Sequence, residues 1–95
     1  MLSEIPAKIS KLKGKELDKQ ILRLGIIAEL DAVNLYEQMA SLTKNRKIRE
    51  TLLDIAREEK AHVGEFESML FMIDKEQVTE YAKGKKEVEE QFIKL

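Results

Sequence analysis

Apolar positions along this chain follow a helical repeat that is interrupted once by a polar turn. Between residues 15 and 42, apolar side chains recur every three or four positions, and Gly25 is the one residue there that disfavours a helix. Residues 43–46 are polar, and the repeat then resumes over residues 46–72. The pattern predicts two long antiparallel helices joined by a short turn, in which Thr43 or Asn45 caps the second helix.

Shorter segments flank the predicted hairpin. Residues 1–14 form an entry segment, in which the spacing of three apolar residues predicts one amphipathic turn: Ile5, Ile9 and Leu12. Asp74 is a good N-cap for a third helix, with Gln77 at the capping-box position, and this helix weakens at Gly84 before it resumes. The chain therefore divides into residues 1–14, 15–73 and 74–95.

Apolar residues occupy more than one side of the first predicted helix. One stripe reads Leu22, Gly25, Glu29, Ala32, Tyr36 and Met39. A second stripe, on a different side, reads Ile21, Leu24, Ala28, Leu35 and Leu42. A helix of this kind is usually buried on several sides, which one hairpin does not provide, and a chain of 95 residues has a thin core of its own. We therefore predict an all-α hairpin that completes a four-helix bundle by dimerisation.

Each predicted helix carries polar residues in the middle of an apolar stripe. Glu29 stands in the first stripe, while Glu59 and His62 interrupt an apolar row on the second helix: Ile48, Leu52, Ile55, Phe66, Met69 and Ile73. Residues three apart lie on one helical face, and a turn centred near residues 44–45 places Glu29 level with this pair. A buried carboxylate costs several kcal/mol unless it is paired, so the three side chains need a partner, and a cation suits them.

One hairpin of this kind supplies half of a dinuclear metal site. The di-iron carboxylate bundles use a Glu from each of two helices and a Glu-x-x-His from each of the other two. A two-fold dimer would supply that set and balance the charge of two divalent ions. The ligands suit Fe(II) or Mn(II), with zinc as a competitor, and calcium is a possible occupant in a crystal. A second interpretation stays open, in which Glu29, Glu59 and His62 form a buried hydrogen-bonded cluster that fixes the register of the helices.

Three neighbouring polar residues have other expected roles. Tyr36 lies two turns after Glu29, and is either a core residue with its hydroxyl at the rim or a donor to a metal-bound carboxylate. Asp31 lies on the side of the helix away from Glu29. Glu58 lies about 100° around the helix from Glu59 and is expected to be solvated. Neither is expected to bind the same metal.

Composition narrows the classes of function. The formal net charge of −1 provides no bulk attraction to nucleic acid, and the basic residues near the turn lack interleaved aromatic residues: Lys44, Arg46, Lys47 and Arg49. The absence of cysteine excludes disulfides and thiolate metal sites. No apolar run has the length of a signal-peptide core or a transmembrane helix, so we expect a cytoplasmic protein without a membrane or nucleic-acid partner.

Two segments of the chain resemble a known family. Residues 29–38, ELDAVNLYEQ, and residues 57–62, REEKAH, are similar to the encapsulated ferritins, and most to the archaeal ferritin-like domain joined to an encapsulin shell protein. The resemblance spans about residues 20–80 and implies a ferritin-like protomer whose dimer builds a ferroxidase centre with two iron ions, with dimers closing into a ring-shaped decamer. It implies iron ligands at Glu29, Glu59 and His62, with Tyr36 beside them.

The resemblance also implies an activity and a location. The family oxidises Fe(II) and passes Fe(III) to the lumen of an encapsulin nanocompartment. We expect dioxygen, or else peroxide, to take the electrons. Its secondary iron-entry site uses two acids, of which Asp31 matches one and Ala28 replaces the other, and the chain ends without the targeting tail typical of free cargo proteins. Two alternatives remain: a non-catalytic helical interaction module, and a rubrerythrin-like peroxide reductase that takes electrons from a separate donor protein.

Overall fold

The computed structural model describes residues 12–93, which form three α-helices and no strand. Helix α1 spans Gly14–Leu42, α2 spans Arg46–Ile73, and α3 spans Lys75–Ile93. Helices α1 and α2 pack together as an antiparallel hairpin. The predicted all-α hairpin with a C-terminal helix is therefore confirmed, whereas the amphipathic turn predicted from Ile5 and Ile9 lies outside the described residues. None of these three helices is long and apolar enough to cross a membrane.

The turn between α1 and α2 is closed by side chains at both helix ends. Asn45 is the N-cap of α2, and its Oδ1 accepts a hydrogen bond from the Ile48 N–H at 3.1 Å. The Thr43 hydroxyl oxygen accepts from the Asn45 N–H at 3.1 Å. Arg49 donates to the carbonyls of Thr43 and Ala40 at 2.8 and 3.3 Å, which satisfies carbonyls that the end of α1 leaves free. These bonds set the register of the hairpin.

The seam between α1 and α2 is narrow. Five apolar residues are buried in the described part of the chain: Leu22, Val33, Ala40, Ala56 and Leu70. Large apolar side chains remain exposed on both sides of this seam in a single copy, among them Leu30 and Leu35 on α1 and Ile48 and Met69 on α2. A single hairpin thus leaves much of its apolar surface in contact with water, as the two stripes of the sequence predict.

Helix α3 leaves the hairpin at a corner built around Asp74. The Asp74 Oδ1 atom accepts from the Gln77 N–H at 3.1 Å, and Oδ2 accepts from Arg23 Nη2 of α1 at 2.7 Å. The predicted N-cap is therefore present, but the Asp74 N–H bonds to the Leu70 carbonyl at 2.8 Å rather than to a capping-box side chain. The structure measures 45 Å along each of two principal axes and 19 Å along the third, because α3 extends away from the hairpin axis.

Helix α3 passes through Gly84 without a break, so the weakening expected at this glycine is not seen. One glycine in an exposed helix costs about 1 kcal/mol relative to alanine, which is too little to end a helix that is continued on both sides. Lys85–Glu89 and Lys86–Glu90 pairs, at 4.0 and 3.9 Å, add modest support beyond it.

Candidate metal centre

Glu29 of α1 and the Glu59–His62 pair of α2 converge at the middle of the hairpin. One potential ligand atom from each residue lies within 4.8 Å of the others. His62 Nδ1 is 3.4 Å from Glu29 Oε2 and 3.4 Å from Glu59 Oε2. The three-residue spacing puts Glu59 and His62 on one face of α2, and the short capped turn brings Glu29 to the same height. The structure thus brings together the three residues that the register of the hairpin predicts.

Hydrogen bonding within this group is incomplete. A neutral imidazole has one N–H to donate, so His62 Nδ1 serves one carboxylate at a time. Its hydrogen bond goes to Glu59 Oε2. Glu29 Oε2 is buried and has no hydrogen-bond partner among the described residues. An unsatisfied buried carboxylate oxygen is costly, and a cation bound by the group would satisfy it.

The chemistry of the three donors suits a divalent metal. The Glu29 and Glu59 side chains are only 19% and 20% exposed, so their charges are partly withdrawn from water, while His62 is 43% exposed. Carboxylate oxygen and imidazole nitrogen suit Fe(II) and Mn(II), and zinc accepts the same donors. Three ligands leave coordination positions open on any of these metals, for solvent, substrate or residues of another chain.

The surroundings of the group are apolar and open on one side. Two turns after His62 on the same face, Met69 is 55% exposed, and Ile48 at the start of α2 is 50% exposed. Met69 also lines a shallow apolar groove with Ile21 and Ile73. Glu59 and His62 therefore lie on a helix face whose apolar side chains at Ile48 and Met69 are exposed in a single copy.

The neighbouring polar residues stay outside the group. Among the described residues, the cluster contains Glu29, Glu59 and His62 and not Asp31 or Glu58. Tyr36 is half-buried on α1, and its hydroxyl does not satisfy Glu29 Oε2. Ala28, at a position where the resembling family carries an acid, adds no ligand. The role of Tyr36 therefore stays a prediction.

Contacts beside the group were not predicted from the sequence. Glu37 and Lys60 form an ion pair between α1 and α2 at 3.0 Å; they follow Tyr36 and Glu59 in the sequence. Both side chains are about half exposed, so the pair contributes little stability. Gly25 faces the ring of Phe66 across the seam. The sequence offered one signal for this contact, the lone glycine in an otherwise regular helix. Such a glycine indicates that another group packs closely against the helix there, but it does not identify that group.

Comparisons with known proteins identify a family and several relatives of similar sequence. A family model described as rubrerythrin matches residues 20–94. The chain is 56% identical over 92 residues to a "Ferritin-like-encapsulin shell fusion protein" of Pyrococcus furiosus, covering 95% of this chain and 27% of that protein. It is 39% identical over 62 residues to the "Encapsulin nanocompartment cargo protein EncB" of Myxococcus xanthus, covering 65% of this chain and 39% of that one. The chain thus spans between about a quarter and two fifths of these two relatives.

A solved structure is similar over most of the chain. It is the crystal structure of the encapsulated ferritin domain from Pyrococcus furiosus, with a TM-score of 0.81 and 53% sequence identity. The match covers 92% of this chain and 92% of that chain. At this identity and coverage the likeness concerns sequence and fold together, including the arrangement of the three helices.

Proposed function

Because this chain belongs to the rubrerythrin family and, within it, to the encapsulated ferritins, we propose that it is a ferroxidase that oxidises Fe(II) to Fe(III). Membership of this family supports an iron-related redox function. The observation that carries the finer proposal is the buried, unpartnered Glu29 Oε2 beside Glu59 and His62. These three residues are the proposed iron ligands, with Fe(II) as the substrate.

The proposed centre is shared by two copies of the chain. Each copy offers two carboxylates and one imidazole, so a two-fold dimer offers four carboxylates and two imidazoles, enough for two iron ions. The four negative charges balance two divalent cations. The exposed apolar residues around the ligands support this arrangement, because a second hairpin would cover them and remove the site from bulk water.

The electrons and protons of the proposed reaction balance with dioxygen as acceptor. Each Fe(II) gives up one electron. Two ions reduce one dioxygen to hydrogen peroxide with uptake of two protons, and four ions reduce it to two waters with uptake of four protons. Hard carboxylate ligands favour the higher charge of Fe(III), so Glu29 and Glu59 bias the substrate towards oxidation. We assign Tyr36 a supporting role beside the centre, as the resemblance to the family implies.

The proposed location is the interior of an encapsulin nanocompartment in the cytoplasm. The relatives support it, because they are named as a fusion to an encapsulin shell and as nanocompartment cargo proteins. Within the compartment, dimers are proposed to close into a ring-shaped decamer. We propose an encapsulin as the shell partner and Fe(III) as the product released to its lumen. Both are proposals because the chain spans only part of those relatives.

An anaerobic iron titration followed by exposure to air tests the ferroxidase directly. We expect Fe(II) to raise the mass of the wild-type protein to at least a dimer, and oxygen then to produce Fe(III) faster than in buffer. Glu59→Gln removes a proposed ligand and should abolish both effects, whereas Glu58→Gln, the neighbouring exposed residue on the same helix, should behave like the wild type. An unchanged mass and an oxidation rate equal to that of buffer would overturn the proposal.

Two other functions have an observation in their favour. The Glu59–His62 hydrogen bond is also expected of a cluster that only fixes register, but that role leaves Glu29 Oε2 unexplained. The rubrerythrin family model favours a peroxide reductase, but the chain has no cysteine to hold a second iron site for electron delivery. Assembly unaffected by Glu29→Gln would favour the first, and turnover with hydrogen peroxide but not dioxygen the second.

A further inference from the structure

Gly25 of α1 lies directly against the ring of Phe66 of α2. A Cβ atom built on Gly25 would stand 2.9 Å from Phe66 Cδ1, 2.9 Å from Cε1 and 3.0 Å from Cζ. Carbon atoms in contact are ordinarily about 3.5–4.0 Å apart. The ring therefore occupies the space that any side chain at position 25 would need, and it rests on the backbone of α1.

This contact adjoins the candidate metal centre on both helices. Gly25 precedes Glu29 by four residues, and Phe66 follows His62 by four residues, so each lies about one turn from a proposed ligand and on the same face of its helix. The distance between two packed helices depends on the side chains at their contact. Gly25 has no side chain and the Phe66 ring is flat, so α1 and α2 come close together next to the proposed ligands.

Helix energetics alone argue against a glycine at position 25. Glycine in a helix interior costs about 1 kcal/mol relative to alanine, so its place in the middle of α1 needs a compensating reason. Gly64 of α2 offers a comparison, because a Cβ atom there would meet nothing within 4 Å. Both glycines carry the intrinsic cost, but only Gly25 makes room for a neighbour.

We infer that Gly25 is a positioning residue for the metal centre: it lets Phe66 rest on α1 and so holds Glu29 Oε2 and His62 Nδ1 within reach of one ion. The inference rests on the proposed function, since it assigns the contact a role in metal binding. Metal–ligand bonds tolerate only about 0.2 Å of variation, so a small displacement of α1 from α2 weakens binding even when the helices stay folded.

A cobalt titration of four proteins tests this role. Co(II) is the probe because its visible absorption reports ligand binding without oxidation. We expect Gly25→Ala to weaken Co(II) binding by about tenfold or more, in the range seen when groups that orient metal ligands are lost. Gly64→Ala should bind Co(II) like the wild type. Gly25→Ala combined with Phe66→Leu, which removes the ring, should recover most of the lost affinity.

A metal-free readout separates positioning from loss of fold. His62 is the only histidine in the chain, so imidazole NMR spectra contain one set of signals to follow. We expect these signals to move in Gly25→Ala, to return towards wild-type values in the double variant, and to stay in place in Gly64→Ala. Circular dichroism checks that the variants remain helical.

The outcomes distinguish this inference from the proposed function. If the wild type binds no Co(II) and no Fe(II), the proposed metal centre fails and the inference fails with it. If the wild type binds and Gly25→Ala binds equally well with unmoved His62 signals, the inference alone is overturned. A loss of affinity in Gly25→Ala that Phe66→Leu does not rescue also overturns it, because the contact with the ring would then not be the cause.

Discussion

The partly buried carboxylate of Glu29 lowers the stability of the folded protein at the place where we propose that it binds a metal. One imidazole N–H faces two carboxylates, and Glu29 Oε2 is buried without a hydrogen-bond partner among residues 12–93. In the metal-free protein this arrangement is unfavourable, because desolvation and the repulsion between Glu29 and Glu59 both raise its free energy. Sites that bind ions commonly carry such a cost in the empty state.

Replacing Glu29 by glutamine should separate stability from metal binding. The amide removes one negative charge and can donate a hydrogen bond, so the metal-free Tm should stay the same or rise by a few degrees. Metal at a concentration a hundredfold above its Kd should stabilise the wild-type protein against unfolding by about 2.7 kcal/mol. Glu29→Gln should lose this metal-induced stabilisation.

Thermal unfolding with and without Co(II) measures both effects. Glu37→Gln is a suitable control, since Glu37 lies on the same helix and its ion pair with Lys60 is about half exposed. It should leave the metal-induced shift intact. An equal shift in Glu29→Gln and wild type would remove Glu29 from the ligand set.

At the scale of elements, the position of α3 depends on the Asp74 carboxylate. One oxygen caps α3 through the Gln77 N–H, and the other receives Arg23 from α1, so one side chain links all three helices. An edge-to-face contact between Phe71 and Tyr81, with ring centroids 5.3 Å apart, adds to the corner. The hydrogen bond from the Gln77 N–H, with help from Arg23 and Lys19 and against the effect of burial, lowers the pKa of Asp74.

This lowered pKa predicts how the stability of the corner depends on pH. The ionised form of Asp74 is favoured in the folded state, so its contribution is fully present above the ordinary aspartate pKa of about 4 and is lost as pH falls through the lower folded value. Asp74→Asn keeps a capping oxygen but loses the charge. We expect it to lower the Tm at pH 7 and to have a smaller effect near pH 3.

Thermal unfolding between pH 7 and pH 3 checks this sign. Asp54→Asn is the control, because the Asp54–Arg57 pair is exposed and lies within α2. It should change the Tm little at either pH. A difference between Asp74→Asn and wild type that does not diminish as the pH falls would show that the Asp74 charge is not what stabilises the corner.

In the molecule as a whole, more large apolar residues are exposed than are buried among those that the structure describes. Exposed large apolar residues lie on both sides of the hairpin and along α3: Ile21, Ile27, Leu30, Leu35, Met39, Ile48, Met69, Tyr81, Val88 and Phe92. Patches of this extent mark surfaces for association. The face that carries Glu59 and His62 is the one on which a partner would also complete the proposed metal centre.

A charge placed on this face should weaken the proposed dimer. Met69→Lys puts an ammonium group into the apolar surface two turns from His62, while the position is exposed enough in one copy to leave the hairpin folded. We expect the dimer Kd to rise by about a hundredfold or more, which corresponds to about 2.7 kcal/mol.

Sedimentation equilibrium with metal present gives the two dissociation constants. Ala61→Lys, on the exposed side of the same helix, controls for added charge and should dimerise like the wild type. If Met69→Lys associates as tightly as the wild type, the subunits meet through another face.

The order of amino acids is enough to predict the helices, the N-caps of α2 and α3 and the height of the proposed ligands. Helical periodicity and the caps at Asn45 and Asp74 are local properties, so α1 and α2 end within one residue of their predicted limits. The level of Glu29 follows from the turn position and helix geometry. The resemblance to the encapsulated ferritins, carried by the segments around Glu29 and His62, is confirmed by the comparisons.

The side chains that meet across the helices depend on packing in three dimensions. Spacing along one helix placed Gly25 and Phe66 in apolar stripes, but the rotation of α1 against α2 determines that they meet. The angle of α3 brings Asp74 to Arg23. The Arg23–Asp74 bond, the contact of Gly25 with Phe66, and the choice of Glu29 Oε2 as the oxygen left without a hydrogen bond all depend on that packing. Helical repeats specify the height of each residue and the helix face on which it lies. Contacts that must be accurate to about an ångström form only when two helix surfaces pack against each other.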